Sequence, residues 1–250
     1  MEITVPDGTP VLQAAFYILA AVIVVAAIVL LGRAALASGD SIIDARALQR
    51  RFTIWSAAWI SVVSAASYAG LLLPRRGPPL PFALMVAGVI LCGILLARSR
   101  FGDRFARGLP LGLLVGFQAF RLPLELAMHR AYTEGVMPEQ MSYSGRNFDI
   151  VTGITALLLG IALMSTRVPR AVIQVWNVLG LVLLVNIVTV AIMSAPMFAY
   201  FGPDRLNVFV MKMPYTLLPA VMVLAAWAGH LIIFRALAQP SRSIHAGSSM

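Results

Sequence analysis

The sequence predicts an all-α, polytopic integral membrane protein: a bundle of seven transmembrane helices with its N-terminus outside and its C-terminus inside. Three observations carry that prediction. Hydrophobic residues make up 60% of the 250-residue chain and charged residues 12%, too little polar surface to cover a water-soluble domain. Apolar runs able to cross about 30 Å of hydrocarbon, at about 1.5 Å of rise per residue, recur along the whole length. The basic residues behind the net charge of +9 gather between those runs, where they act as topology signals and not as a nucleic-acid footprint. Nucleic acid is therefore excluded as a partner, and the lipid bilayer is expected.

Span 1 covers 11–32. The residues before it carry Glu2 and Asp7 and no base, so they lack the positive start of a secretory signal. Ala35-Leu36-Ala37 imitates a cleavage site, but the apolar run is too long and Arg33 intervenes, so the span is expected to stay attached. Arg33, Arg46, Arg50 and Arg51 make the next connection basic. Within it Ser41, followed by Asp44, has the form of a capping box opening a short interfacial helix. Span 2 covers 52–73, with Ser56, Ser61, Ser64 and Ser67 as packing and hydrogen-bonding groups. Pro74, Pro78, Pro79 and Pro81 then force a non-helical turn carrying Arg75 and Arg76. Span 3 covers 82–97 and holds Cys92, the single cysteine, which excludes an internal disulfide and any cysteine-rich metal site. Arg98, Arg100, Arg104 and Arg107 follow, opposed only by Asp103.

Span 4, 109–129, is the element around which the reading is built. Gln118, Arg121, Glu125 and His129 recur every three or four residues and so share one face of a helix. Ionisable groups at membrane depth persist where a partner, a cavity or a substrate compensates their cost. Pro123 lacks an amide proton and clashes with the carbonyl of Ala119, which predicts a kink beside Gln118 and Arg121. Gly112 and Gly116 form a small-xxx-small pattern inviting another helix to approach. A loop of 20 residues follows, 130–149, carrying Glu134, Glu139, Arg146, Asn147 and Asp149; Asn147 or Asp149 can cap span 5. Span 5 starts at 149 or 150, contains Thr152, Gly153, Thr155 and Gly160, and ends before Arg167. Span 6 covers 171–194 with Asn177 and Asn186, and span 7 covers 215–236 with Pro219 and His230. The bundle is thus 1–238, and 239–250 is expected to be a disordered cytoplasmic tail.

With the N-terminus outside, twelve bases lie on the inner side: Arg33, Arg46, Arg50, Arg51, Arg98, Arg100, Arg104, Arg107, Arg167, Arg170, Arg235 and Arg242. Six lie outside: Arg75, Arg76, Arg130, Arg146, Arg205 and Lys212. That bias orients the chain. A compact chain of this kind is expected in a bacterial inner membrane. No internal repeat of the inverted-transporter type is visible.

Function enters through the stripe. If the 130–149 loop folds over span 4, then Arg121, Arg146, Glu125, Glu139, His129 and Asp149 converge in an outer-facing polar cavity. Gln118, Arg121, Glu139, Arg146, Asn147 and Asp149 would then bind a small polar or anionic ligand for transport or sensing. A second class is a membrane-embedded enzyme acting on a lipophilic substrate, with Glu125 and His129 as its acid–base pair and Arg121 stabilising developing charge. The structural alternatives are an Arg121–Glu125 pair that neutralises itself, or a stripe that pairs with a second copy or a partner subunit's span. His129 and His230 cannot share a metal, because His230 lies roughly 22 Å below the outer end where His129 sits. His230 is read as a hydrogen-bonded packing group, or as a member of a proton path with Asn177 and Asn186. Met128, Met137, Met141, Met193, Met197, Met211 and Met213 collect at the outer end, where thioethers could handle Cu(I) or pack irregular gaps. No cofactor is specified. The sole lysine, Lys212, precedes span 7, which excludes a retinal protein, and no nucleophile elbow, zinc-protease pair, phosphate loop or histidine box appears.

Overall fold

The computed structural model describes residues 6–73 and 80–239, and among them all regular structure is helical. The α-helices are α1 (Pro10–Ala37), α2 (Ile42–Tyr68), α3 (Leu80–Arg98), α4 (Arg100–Gly108), α5 (Leu111–Phe117), α6 (Arg121–Thr133), α7 (Asp149–Ser165), α8 (Arg170–Met193) and α9 (Leu224–Leu237). Five segments are long and apolar enough to cross a membrane: Pro10–Ala37, Leu80–Arg98, Leu111–Thr133, Arg170–Met193 and Leu218–Leu237. α7 is apolar but shorter, and α2 is long but diluted by serines, threonine and arginines.

The connection after α1 differs from expectation. Ser41 does cap as predicted, its Oγ accepting from the Asp44 amide at 3.1 Å and donating to Asp44 Oδ2 at 2.7 Å. The helix it opens is no separate interfacial piece, however, but runs on unbroken to Tyr68, because neither Gly nor Pro interrupts 42–68. Gly70, at φ +65°, then ends it in the left-handed conformation that Cβ-bearing residues avoid. The predicted proline turn from Pro74, with Arg75 and Arg76, lies outside the described residues, as does the tail from Pro240 onward.

The basic stretch after α3 also folds. Ser99 caps α4, accepting from the Phe101 amide at 3.1 Å, and α4 buries Phe105 and Ala106. Its charged face staples one end of the bundle. Arg104 grips Asp40 through two bonds of 2.7 Å, while Asp103 receives Arg107 at 2.9 Å and Arg235 at 2.6 Å. The Arg104 guanidinium holds the Asp40 carboxyl below its usual range.

The small-residue pattern of α5 finds its partner in α7. A Cβ on Gly160 would lie 2.8 Å from the Gly116 Cα, so these backbones touch where side chains would hold them apart. The apolar interior forms two clusters. One surrounds Phe16, Phe209 and Tyr215 near the start of α1, and the other surrounds Leu31, Phe52 and Ile233 near α4. Met128, Met137, Met141 and Met211 are buried in the first, filling it as packing groups.

Candidate functional site: a buried ionic network beside an apolar cavity

Leu111–Thr133 is interrupted where Pro123 predicts it. α5 stops at Phe117, a tight 3₁₀ turn occupies Gln118–Phe120, and α6 resumes at Arg121. Gln118 Nε2 donates to the Ala226 carbonyl at 3.4 Å, in space left by Gly229.

Arg121 is wholly buried and does not pair with Glu125. Its Nε donates to Asp149 Oδ2 at 2.6 Å and its Nη2 to Asp149 Oδ1, a two-pronged ion pair across α6 and α7. Gly153 makes this possible. A Cβ there would sit 2.4 Å from the Leu122 amide nitrogen, so α7 lies against the α6 backbone and presents Asp149, one turn earlier on the same face, to Arg121.

The network extends in both directions. Arg121 Nη1 lies 2.8 Å from His230 Nε2, and His230 Nδ1 lies 2.8 Å from Asn177 Oδ1. A guanidinium can only donate, so Nε2 accepts and the Nδ1 proton is given to Asn177. Asn177 returns its Nδ2 proton to the His230 carbonyl at 3.0 Å, which agrees with that assignment. On the other side Asn147 Nδ2 donates to Glu125 Oε2 at 2.7 Å and to the Met141 carbonyl at 3.0 Å. Asn147 Oδ1 accepts the Asp149 amide at 3.0 Å from just ahead of α7, whose N-cap position is Phe148 and not Asn147 or Asp149 as the sequence suggests. The set contains one guanidinium, two carboxyl groups and an imidazole acting as acceptor. Glu125 is hydrogen-bonded but not ion-paired among the described residues.

The expected convergence is thus partial. Arg121, Glu125, Asn147 and Asp149 come together; His129, Glu139 and Arg146 make their contacts elsewhere. His129 stacks on Tyr143 with ring centroids 4.3 Å apart, and its Nδ1 lies 3.2 Å from Ser144 Oγ. Arg146 is exposed, its guanidinium 5.3 Å from the Phe201 ring centroid and its carbonyl held by Asn186 Nδ2 at 2.8 Å. Glu139 opens the half-buried 3₁₀ turn Glu139–Met141. The members that sequence reasoning left outside the site are His230 and Asn177. Their signal was Gly180, three residues after Asn177, where a Cβ would stand 2.7 Å from His230 Cε1.

A cavity of about 260 Å³ adjoins the network. Its walls are apolar, including Phe82, Val86, Leu184, Val188, Met222 and Trp227, while Arg121, Glu125 and Asp149 stand at its edge. Ile90 of α3 and Val185 of α8 line it and yet are 43% and 50% exposed, so the cavity reaches the outer surface of the bundle between these two helices. Both helices pack on α9.

No family model matches this chain, and neither curated proteins nor solved structures provide a match.

Proposed function

We propose that the chain is a seven-span protein of a bacterial inner membrane, N-terminus outside, whose lateral cavity binds a lipophilic molecule with its polar end toward Glu125. α2 and α7 supply the two spans beyond the five apolar ones, and the excess of bases on the α4 side supports the orientation. The observation that carries the function is an apolar cavity of about 260 Å³ lined in part by a buried carboxyl group that forms no ion pair among the described residues. Asp149 already fills the fork of Arg121, and Arg146 lies outside the network, so the geometry favours a lipophilic guest over a free anion clamped between two arginines. In this setting Glu125 exchanges a proton with the head of the bound molecule, and Arg121 with Asp149 fixes the electrostatics around it.

A transport reading has one observation of its own. Two of the segments lining the cavity are broken, by the turn Gln118–Phe120 and by the π-helical stretch Leu218–Val223 around Pro219. Irregular backbone of this kind lines transporter sites.

The test is mass spectrometry of lipophilic molecules extracted from purified wild-type and Glu125→Gln protein, compared with lipid from the same membranes. One species enriched in the wild type and depleted in the variant supports the proposal. Bulk lipid composition in both overturns it.

A further inference from the structure

We propose that the cavity selects a single-chain lipid alcohol, its hydroxyl donated to Asn207 and its chain leaving through the gap between α3 and α8. The inference rests on the lipophilic-ligand reading and deepens it.

Asn207 lines the cavity and is 1% exposed. Its backbone amide donates to the Ser194 carbonyl at 2.7 Å, and its Nδ2 donates to the Ala191 carbonyl at 3.2 Å. The amide cannot be turned over, because that would set Oδ1 against the carbonyl of Ala191. Oδ1 is therefore fixed as an acceptor, buried and, among the described residues, without a hydrogen-bond partner. Such an atom calls for a donor from whatever fills the space beside it.

Among the described residues, the rest of the polar lining does not supply that donor. Thr189 spends its hydroxyl on the Val185 carbonyl at 2.8 Å, Arg121 is engaged by Asp149 and His230, and neither Glu125, held by Asn147, nor Asp149, held by Arg121, forms a hydrogen bond with Asn207. A head group that only accepts, such as an ether or a ketone, leaves Asn207 Oδ1 unsatisfied. A hydroxyl satisfies it and keeps lone pairs free to accept in turn. The remaining walls are hydrocarbon, and the exposed Ile90 and Val185 mark where a chain longer than the cavity passes into lipid.

The experiment titrates a terminally brominated undecanol and its methyl ether into the protein in nanodiscs, reading bromine quenching of Trp227, which lines the cavity. Trp227→Phe protein identifies the Trp227 component. The wild type is expected to bind the alcohol at least about tenfold more tightly than the ether, and Asn207→Ala to bind both alike. Equal, saturable binding of both by the wild type overturns hydroxyl selection while leaving the cavity reading intact, and that comparison needs no folded variant. Absence of saturable quenching by either probe overturns the cavity reading itself.

Discussion

Arg121 and Asp149, 28 positions apart in the chain, close a two-pronged ion pair inside the bundle, with the Arg121 side chain 1% and the Asp149 side chain 5% exposed. The pair replaces the intrahelical Arg121–Glu125 contact that spacing alone suggests, and it leaves Glu125 beside the cavity without a cation of its own among the described residues.

Removing one partner strands the other. Asp149→Leu is expected to cost about 3–5 kcal/mol in unfolding experiments in mixed micelles, because Arg121 is left buried and uncompensated. The double variant Arg121→Met/Asp149→Leu should recover most of that loss. Equal destabilisation by single and double variants would contradict the pairing.

Helix contact at Gly153 is tested by a single methyl group. Gly153→Ala places a Cβ 2.4 Å from the Leu122 nitrogen, and overpacking against backbone costs about 1–3 kcal/mol. Gly116→Ala, whose Cβ would meet its nearest neighbour at an ordinary 3.9 Å, should be tolerated far better. Thermal midpoints in detergent distinguish the two.

Acid should loosen the end of the bundle where α1 begins. Glu134 accepts from the Thr9 amide at 2.8 Å, the Thr9 hydroxyl at 2.9 Å and Arg130 at 2.5 Å; the Thr9 amide is the main cause holding its carboxyl below the ordinary 4.5. A carboxyl lowered in the folded state contributes stability above its unfolded value and loses it as pH falls through the folded one. Melting curves recorded downward from neutral pH should show this loss below 4.5, and Glu134→Gln should remove that part of the acid limb. An unchanged limb in the variant would assign acid sensitivity to other groups.

Much of this architecture was legible because hydrophobic runs, capping residues and prolines act locally. The Ser41 cap and the break ahead of Pro123 fall where those residues put them. Pairing across helices was less accessible. Arg121 chose Asp149 over Glu125 because Gly153 lets two backbones touch, and a one-dimensional pattern does not say which glycine faces which helix. His230 was not joined to Arg121, since that contact depends on how α9 is rotated against α6 and α8. The polarity of the cavity was misjudged for a related reason: the charged groups face one another, and their neighbours on α3 and α8 supply hydrocarbon walls.

Plugging the mouth should empty the cavity without harming the fold. Val185 is half exposed at the mouth, so Val185→Phe is expected to leave thermal stability within about 0.5 kcal/mol while weakening binding of the brominated alcohol about tenfold or more. Unchanged binding would mean that the guest takes another route.

The account is tested most directly by an experimental density map of the protein in nanodiscs. It predicts elongated density passing between Ile90 and Val185 and ending at Glu125 and Asn207. A map in which α3 and α8 close on each other, with side chains filling the space and no such density, would contradict it.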